Sequence, residues 1–451
     1  MYYRIIILVN IILVIFSGCG PETPPDWASD VAPILYKNCV VCHRPGAPGP
    51  FSLITYKDAA KRAKTIAKIT LSRTMPPWPA DPGYTHFLEE RRLTDQEIEI
   101  LQQWAKAKAP AGDTTQKPIV PIYQDGLMDK LGKPDLILKM PSPFFIPGDN
   151  TDHFLAMKFP FQLPEKKPIK AIEFVPGNRE LVHHLNGHLL SYVPQLKKDV
   201  FEGDPWIDEK EISHPGLIHR KLGLLQDDGS YPALQPSVIN YLPGVFYSAY
   251  PNGIGGYVFP EKGALYIKNL HYGPSPIDTF DQSYFRIYFD KDFPKRPTQE
   301  LILGTLGVSA VEPPLIIPPN KISKYYSHLL IKEDISLLTL NPHMHLIGKS
   351  FKAWALTPDQ DTIRLISIPR WDFRWQYFYT FLQPVKIPKG STIWAEGVFD
   401  NTEKNPNNPY SPPQEIRERE GSMKTTDEMF QFILTYIPYQ SGDENISLKG
   451  D

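Results

Sequence analysis

The chain has 451 residues with 48 Lys or Arg against 50 Asp or Glu, a net charge of −2, so no basic excess exists to neutralise phosphates and nucleic acid is not expected as a partner. Hydrophobic residues make up 41%, enough for real cores, and at roughly 150 residues per domain the length suggests about three domains. The 48 prolines, roughly twice the usual share, argue against an all-helical or parallel α/β chain and favour β-sandwiches with many loops. The cysteines are Cys19, Cys39 and Cys42, so nothing beyond the first tenth of the chain can hold a disulfide.

Arg4 is followed by the apolar run Ile5 to Phe16, interrupted only by Asn10. The run is too short to span a bilayer as a helix but suits the apolar region of a signal peptide. Ser17-Gly18-Cys19-Gly20 resembles a bacterial lipobox, with Phe16 in place of the usual Leu. That resemblance implies a signal peptide over 1–18, lipidation of Cys19, and a Pro-rich spacer over 19–25. The expectation is an exported lipoprotein anchored to a bacterial membrane, at its periplasmic or outer-membrane face.

Cys39-Val40-Val41-Cys42-His43 carries the C-x-x-C-H signature of c-type haem attachment. Two thiols one helical turn apart reach the two vinyl groups of one porphyrin, and the adjacent His43 ring points at the iron. The candidate sixth ligand is Met75, in Thr74-Met75-Pro76-Pro77-Trp78, with His86 as competitor. A helix is expected over Asp26 to Asn38. Another starts at Thr94, where Glu97 completes a capping box and Ile98, Ile100, Leu101 and Trp104 form an apolar stripe. Residues 26–113 therefore read as a small all-α cytochrome c-like domain. The segment resembles cytochrome c modules fused to other domains in bacterial exported proteins.

Residues 114–133 read as a linker. From Pro134 onward, short apolar or alternating runs separated by Pro, Gly, Asn and Asp indicate antiparallel sandwiches or jelly rolls. About 320 residues exceed one sandwich, so two tandem domains are expected, 134–305 and 306–451. The histidines carry the chemistry. His183 and His184 are adjacent, His271 ends an apolar run, and His343-Met344-His345 places two imidazoles on one face of a strand. His183 and His184 would face opposite sides of a regular strand, so both can bind one ion only if the backbone twists or the pair sits at a strand end. Imidazole and thioether ligands suit copper.

Read with their spacing and flanks, these motifs resemble the copper type II, ascorbate-dependent monooxygenases, the family of peptidylglycine α-hydroxylating and dopamine β-monooxygenase. The resemblance covers roughly residues 134–440. It implies one copper on His183, His184 and His271 of the first sandwich, for electron storage. It implies a second on His343, His345 and Met429 of the second sandwich, for the oxygen chemistry. Trp371-Asp372-Phe373 with Trp375-Gln376, and Asp400-Asn401-Thr402 with Asn405 to Pro409, also look like the family's second domain. Phe430 stands where the animal enzymes carry a Cys, and Asn341 stands where the peptide-hydroxylating enzyme has an Arg for the substrate carboxylate. Glycine-extended peptides are therefore a doubtful substrate.

The expected activity is copper-dependent hydroxylation of a C–H bond of a small-molecule or peptide substrate with O2. Electrons would come from a redox protein or an ascorbate-like reductant through the haem. Two other classes fit the same elements: a cytochrome-linked double-sandwich binding protein, and a copper-handling protein without monooxygenase activity. His188, four residues past His184, is expected to be a satisfied packing residue.

Overall fold

The computed structural model describes residues 23–120, 128–208, 215–242, 247–249, 254–419 and 425–449. The expected signal segment, Cys19 with its lipid, residues 121–127 of the expected linker and His214 lie outside the described residues. Among the described residues no helix is long and apolar enough to cross a membrane.

The first segment is helical. Asp26 accepts a hydrogen bond from the Ser29 amide at 2.8 Å and starts a π-helical turn, Trp27–Val31, that runs into the helix Ala32–Asn38. The helix Asp95–Lys106 starts at Thr94 with a reciprocal capping box: Thr94 Oγ1 accepts from Glu97 N at 3.1 Å, and Glu97 Oε2 from Thr94 N at 2.7 Å. Ile98, Leu101 and Trp104 bury against Trp27, Val31 and Leu35. Two shorter helices, Tyr56–Ala60 and Ala63–Leu71, complete the group. Pro110 O accepts from both Trp27 N (2.9 Å) and Trp104 Nε1 (3.0 Å), which closes the segment end on end.

The rest of the described chain is mostly β, and every strand pairing is antiparallel. One sheet orders Leu136–Lys139, Tyr284–Phe289, Lys167–Val175 and Tyr247–Ala249, with Tyr257–Phe259 also on Lys167–Val175. Its partner sheet orders Trp206–Asp208, His153–Gln162, Lys262–Tyr272, Val182–Ser191 and Ala233–Tyr241. Phe159, Leu189 and Leu265 from the second sheet meet Phe174, Phe285 and Ile287 from the first in one core.

A second pair of sheets follows. Gln299–Gly304, Phe430–Pro438, Ile335–Met344 and Tyr379–Ile387 form one, and Lys321–Leu330, Thr392–Asn401, Gly348–Leu356 and Thr362–Ile368 the other. In Thr392–Asn401 intermediate and buried residues alternate strictly, as expected of a strand with one face on the core. Gln299–Gly304 lies in this second pair, on the far side of the boundary expected at residue 305. Its pairing with Phe430–Pro438 is non-local, which no local pattern around residue 300 reveals.

The stretch 77–90, expected to belong wholly to the helical segment, packs elsewhere. Leu88 N donates to Thr380 O at 2.8 Å and Asp81 N to Ser367 O at 2.8 Å. Phe87 sits against Tyr379 and Phe381, with ring centroids 5.1 and 5.3 Å away. Ala80 and Phe87 are members of the second sandwich's core.

Candidate metal and haem sites

The structure brings His183, His184 and His271 together so that one nitrogen of each lies within 4.8 Å of the other two. Two β-bulges do this. Lys262–Tyr272 shifts register on both neighbours after Ile267 and Lys268, at Asn269, whose φ of +52° is a left-handed conformation that Asn tolerates. The shift sets His271 opposite His184. The next pair is Tyr272 with Val182, which leaves His183 as the extra residue of a second bulge. Bulging removes the strict alternation of side chains, and adjacent imidazoles can then face one point.

Nδ1 of His184 lies 3.3 Å from Nδ1 of His183 and 3.4 Å from Nδ1 of His271. Two nitrogens bound to one metal at about 2.05 Å with a tetrahedral angle are about 3.3 Å apart, so the spacing fits three Nδ1 ligands on one ion. His271 uses its other nitrogen, Nε2, against Asp152 Oδ1 at 2.6 Å and stacks on Phe154 with centroids 4.4 Å apart. With an ion on the three imidazoles, Asp152 would complete a carboxylate–histidine–metal arrangement. Sequence reading missed it, since nothing local distinguishes this acid from Asp149. Burial is the first cause that lowers all three imidazole pKa values, His183 to about 4 and His184 well below its ordinary value, with the neighbouring imidazoles adding to it at His183 and His184. The nitrogens are therefore neutral ligands near pH 7.

The second set lies at the end of Ile335–Met344. His343 and His345 share a face, with ring centroids 5.1 Å apart and planes at 89°. The register that pairs Met344 with Phe430 and His343 with Gln431 sets Met429 opposite His345 when extended by one residue, on the same face. His343 Nδ1 donates to Gln376 Oε1, and His345 Nδ1 donates to Asp427 O at 2.9 Å. Both rings are thereby turned to offer Nε2 to a ligand. Gln376 belongs to the Trp375-Gln376 stretch already noted, but its bond to His343 was not foreseen. Buried Glu428 takes the amides of His345 and Ile347, each at 2.9 Å, and ties the two ligand-bearing strands together. Burial holds His343 down at about 3.

His184 of the first set and His343 and His345 of the second line one narrow cleft of about 60 Å³ between the sandwiches. His184, Asn186, Asn240 and Tyr241 line one wall, and Asn341, His343, His345 and Gln376 the other. Asn341 gives its amide to Tyr377 O at 3.0 Å. Arg374, also on the cleft, is closed on Asp372 by hydrogen bonds of 2.6 and 2.9 Å.

Cys39 and Cys42 follow directly on the helix Ala32–Asn38 and form no disulfide. His43 Nδ1 donates to Phe51 O at 3.1 Å, which leaves Nε2 for a ligand. Gly49 runs so close that a Cβ there would meet Cys42 O at 2.6 Å and His43 Nδ1 at 2.8 Å. The residues fit a covalently held porphyrin: two free thiols and an oriented imidazole. Trp78 Nε1 is buried without a hydrogen-bond partner among the described residues, three positions after Met75. His86 is exposed and bonded to Glu90 at 3.1 Å. His188 accepts the Ser237 amide at 3.2 Å.

No family model matches the chain, and no curated protein matches it. Solved structures similar to it include the VP2 subviral particle of infectious bursal disease virus (9% identity over 72% of this chain and 75% of that one, TM-score 0.18). The Gx strain of that virus gives 9% identity over 70% and 75%, with a TM-score of 0.18. The naturally occurring empty top component of cowpea mosaic virus gives 7% over 67% and 86%, with a TM-score of 0.22. Likeness of that size carries no statement about what this chain does.

Proposed function

We propose that the chain is an exported, membrane-anchored copper monooxygenase that hydroxylates a C–H bond of an organic substrate with O2, its electrons entering through a c-type haem. In this reading the helical segment is a cytochrome c-like module and the two sandwiches are jelly rolls of the copper type II monooxygenase kind. The observation that supports it most is that His184 of one sandwich and His343 and His345 of the other line one cleft. A binding protein has no need of two neutral, oriented imidazole sets facing one another.

Copper on His183, His184 and His271 and on His343, His345 and Met429, with haem on Cys39, Cys42, His43 and Met75, would supply one-electron transfer and the activation of dioxygen. The chain's own work is orientation. Asp152, Gln376 and Asp427 O would each accept a hydrogen bond from the far N–H of a ligand imidazole and so fix its tautomer. The cleft walls place substrate between the two sets. With Asn341 turned onto Tyr377 O and Arg374 closed on Asp372, they offer amides and aromatic edges rather than an unpaired guanidinium, which suits a substrate without a carboxylate.

The test is metal content. Residues 20–451, loaded with copper and desalted, are expected to retain about two coppers per haem and to consume oxygen with a reductant and a suitable C–H substrate. Haem without copper would overturn the enzyme reading and leave a cytochrome tethered to a double-sandwich binding module.

A further inference from the structure

We propose that the ring of Tyr377 is the bridge over which an electron passes from the haem of the helical module to the copper held by His343, His345 and Met429. The inference rests on the functional reading above and names the route that reading leaves open.

The ring is held from both sides. On the module side, Trp78 lies against it with centroids 5.6 Å apart and planes at 34°, and the Tyr377 hydroxyl donates to Pro77 O at 3.1 Å. Pro77 and Trp78 follow Met75 in one run, so the segment that carries the expected sixth ligand ends on this ring.

On the copper side, Tyr377 is the residue after Gln376. Gln376 Nε2 donates to Phe373 O at 2.9 Å, which fixes its amide so that Oε1 faces His343 Nδ1. Asn341, on the same strand face as His343, clasps Tyr377 O at 3.0 Å. The path from ring to ligand therefore runs through the peptide, the Gln376 side chain and one hydrogen bond, with no open gap. Tyr377 is 2% exposed, so little water must reorganise when charge passes. A π system also presents orbitals closer in energy to the metal centres than an aliphatic chain does.

With both groups bound, the exchange would be of a single electron, lost by the haem and gained by the copper, with an external one-electron donor to restore the haem. Tyr377 would be neither oxidised nor deprotonated, and its hydroxyl would stay on Pro77 O.

The test uses full-length protein carrying haem and cupric copper, without oxygen. The haem is reduced by a light pulse, its re-oxidation is followed by absorbance, and the copper is followed by electron paramagnetic resonance. Tyr377→Leu is expected to slow haem re-oxidation by roughly tenfold or more while haem content, copper content and haem potential stay unchanged. Tyr377→Phe keeps the ring and is expected to keep the rate. A Tyr377→Leu protein with full metal content and the unaltered rate overturns the route alone. Because Leu leaves space in a buried site, a second variant controls for it: Phe381→Leu, an equal loss of a ring from the same core off the path, is expected to keep fast haem re-oxidation, and slowing equal to that of Tyr377→Leu overturns the route. Haem binding without any copper removes the acceptor and overturns the functional reading together with this one.

Discussion

Nδ1 of His184, with Nδ1 of His183 at 3.3 Å and Nδ1 of His271 at 3.4 Å, does not make a comfortable cluster with them by itself. A neutral imidazole has one donor and one acceptor nitrogen, and His271 has a carboxylate at Nε2 to receive its proton. Its Nδ1 then presents a lone pair to His184, and protonating the group is opposed by burial. A cation at the centre relieves both problems. Asp152 is the residue on which this depends, because it chooses which nitrogen of His271 carries the proton. Asp152→Ala is expected to lower copper affinity of this set by roughly 10- to 100-fold while leaving the His343 set unaltered. A competition titration with a copper chelator reads it, and equal affinity in the variant would show that the carboxylate does not orient the ring.

At the scale of elements, the approach to Gln299–Gly304 is clasped to the C-terminal turn Asp443–Asn445. Arg296 Nη1 and Nη2 bond Asp443 Oδ1 and Oδ2 at 2.6 and 2.7 Å, and Ser336 Oγ adds a bond of 2.6 Å. The Arg296 guanidinium is the main reason the Asp443 carboxyl is held at about 2, below its ordinary 3.8. For an acid whose folded pKa is depressed, the unfolded chain binds the proton first as pH falls. The stabilisation, roughly 2 kcal/mol, is thus complete above about pH 4 and is lost as pH falls towards 2. The melting temperature of Asp443→Asn should lie below that of the unaltered protein at pH 6, with the two converging near pH 2; a constant difference across that window would contradict the assignment. Elements also show what was legible beforehand. Residue types and spacing were enough to pick out the capping box at Thr94 and the shared face of His343 and His345, since both depend on local periodicity. The bulges at Asn269 and His183 depend on pairing between strands 80 residues apart in sequence. Asp152 reaches its imidazole across 119 residues and Gln376 across 33, and Gln299–Gly304 pairs with Phe430–Pro438 more than a hundred residues on. Phe430, noted as a replacement for Cys, fills the second core against Phe351 and Phe399, a contact only the assembled sandwich defines.

On the scale of the whole molecule, the segment 77–90 decides how the parts behave together. It leaves the helical core, lays Phe87 and Ala80 into the second sandwich, and returns in time to begin the helix at Thr94. Tyr84 donates to Ala353 O at 3.3 Å and Arg370 to Ser72 O at 3.0 Å, so the contact extends well beyond one ring. The helical segment and the second sandwich should accordingly open as a coupled unit, with the first sandwich opening apart from them. Phe87→Ala removes a ring that is 3% exposed, a change of about 3 kcal/mol when a buried Phe is truncated. Amide exchange is expected to quicken both in the helices Ala63–Leu71 and Asp95–Lys106 and in the strand Tyr379–Ile387, while His153–Gln162 and Val182–Ser191 keep their protection. Faster exchange in the helices alone would mean that 77–90 is a tether and not a shared piece of core. Shared core is what the electron route requires, because a haem module free to swing away would not hold Trp78 against Tyr377.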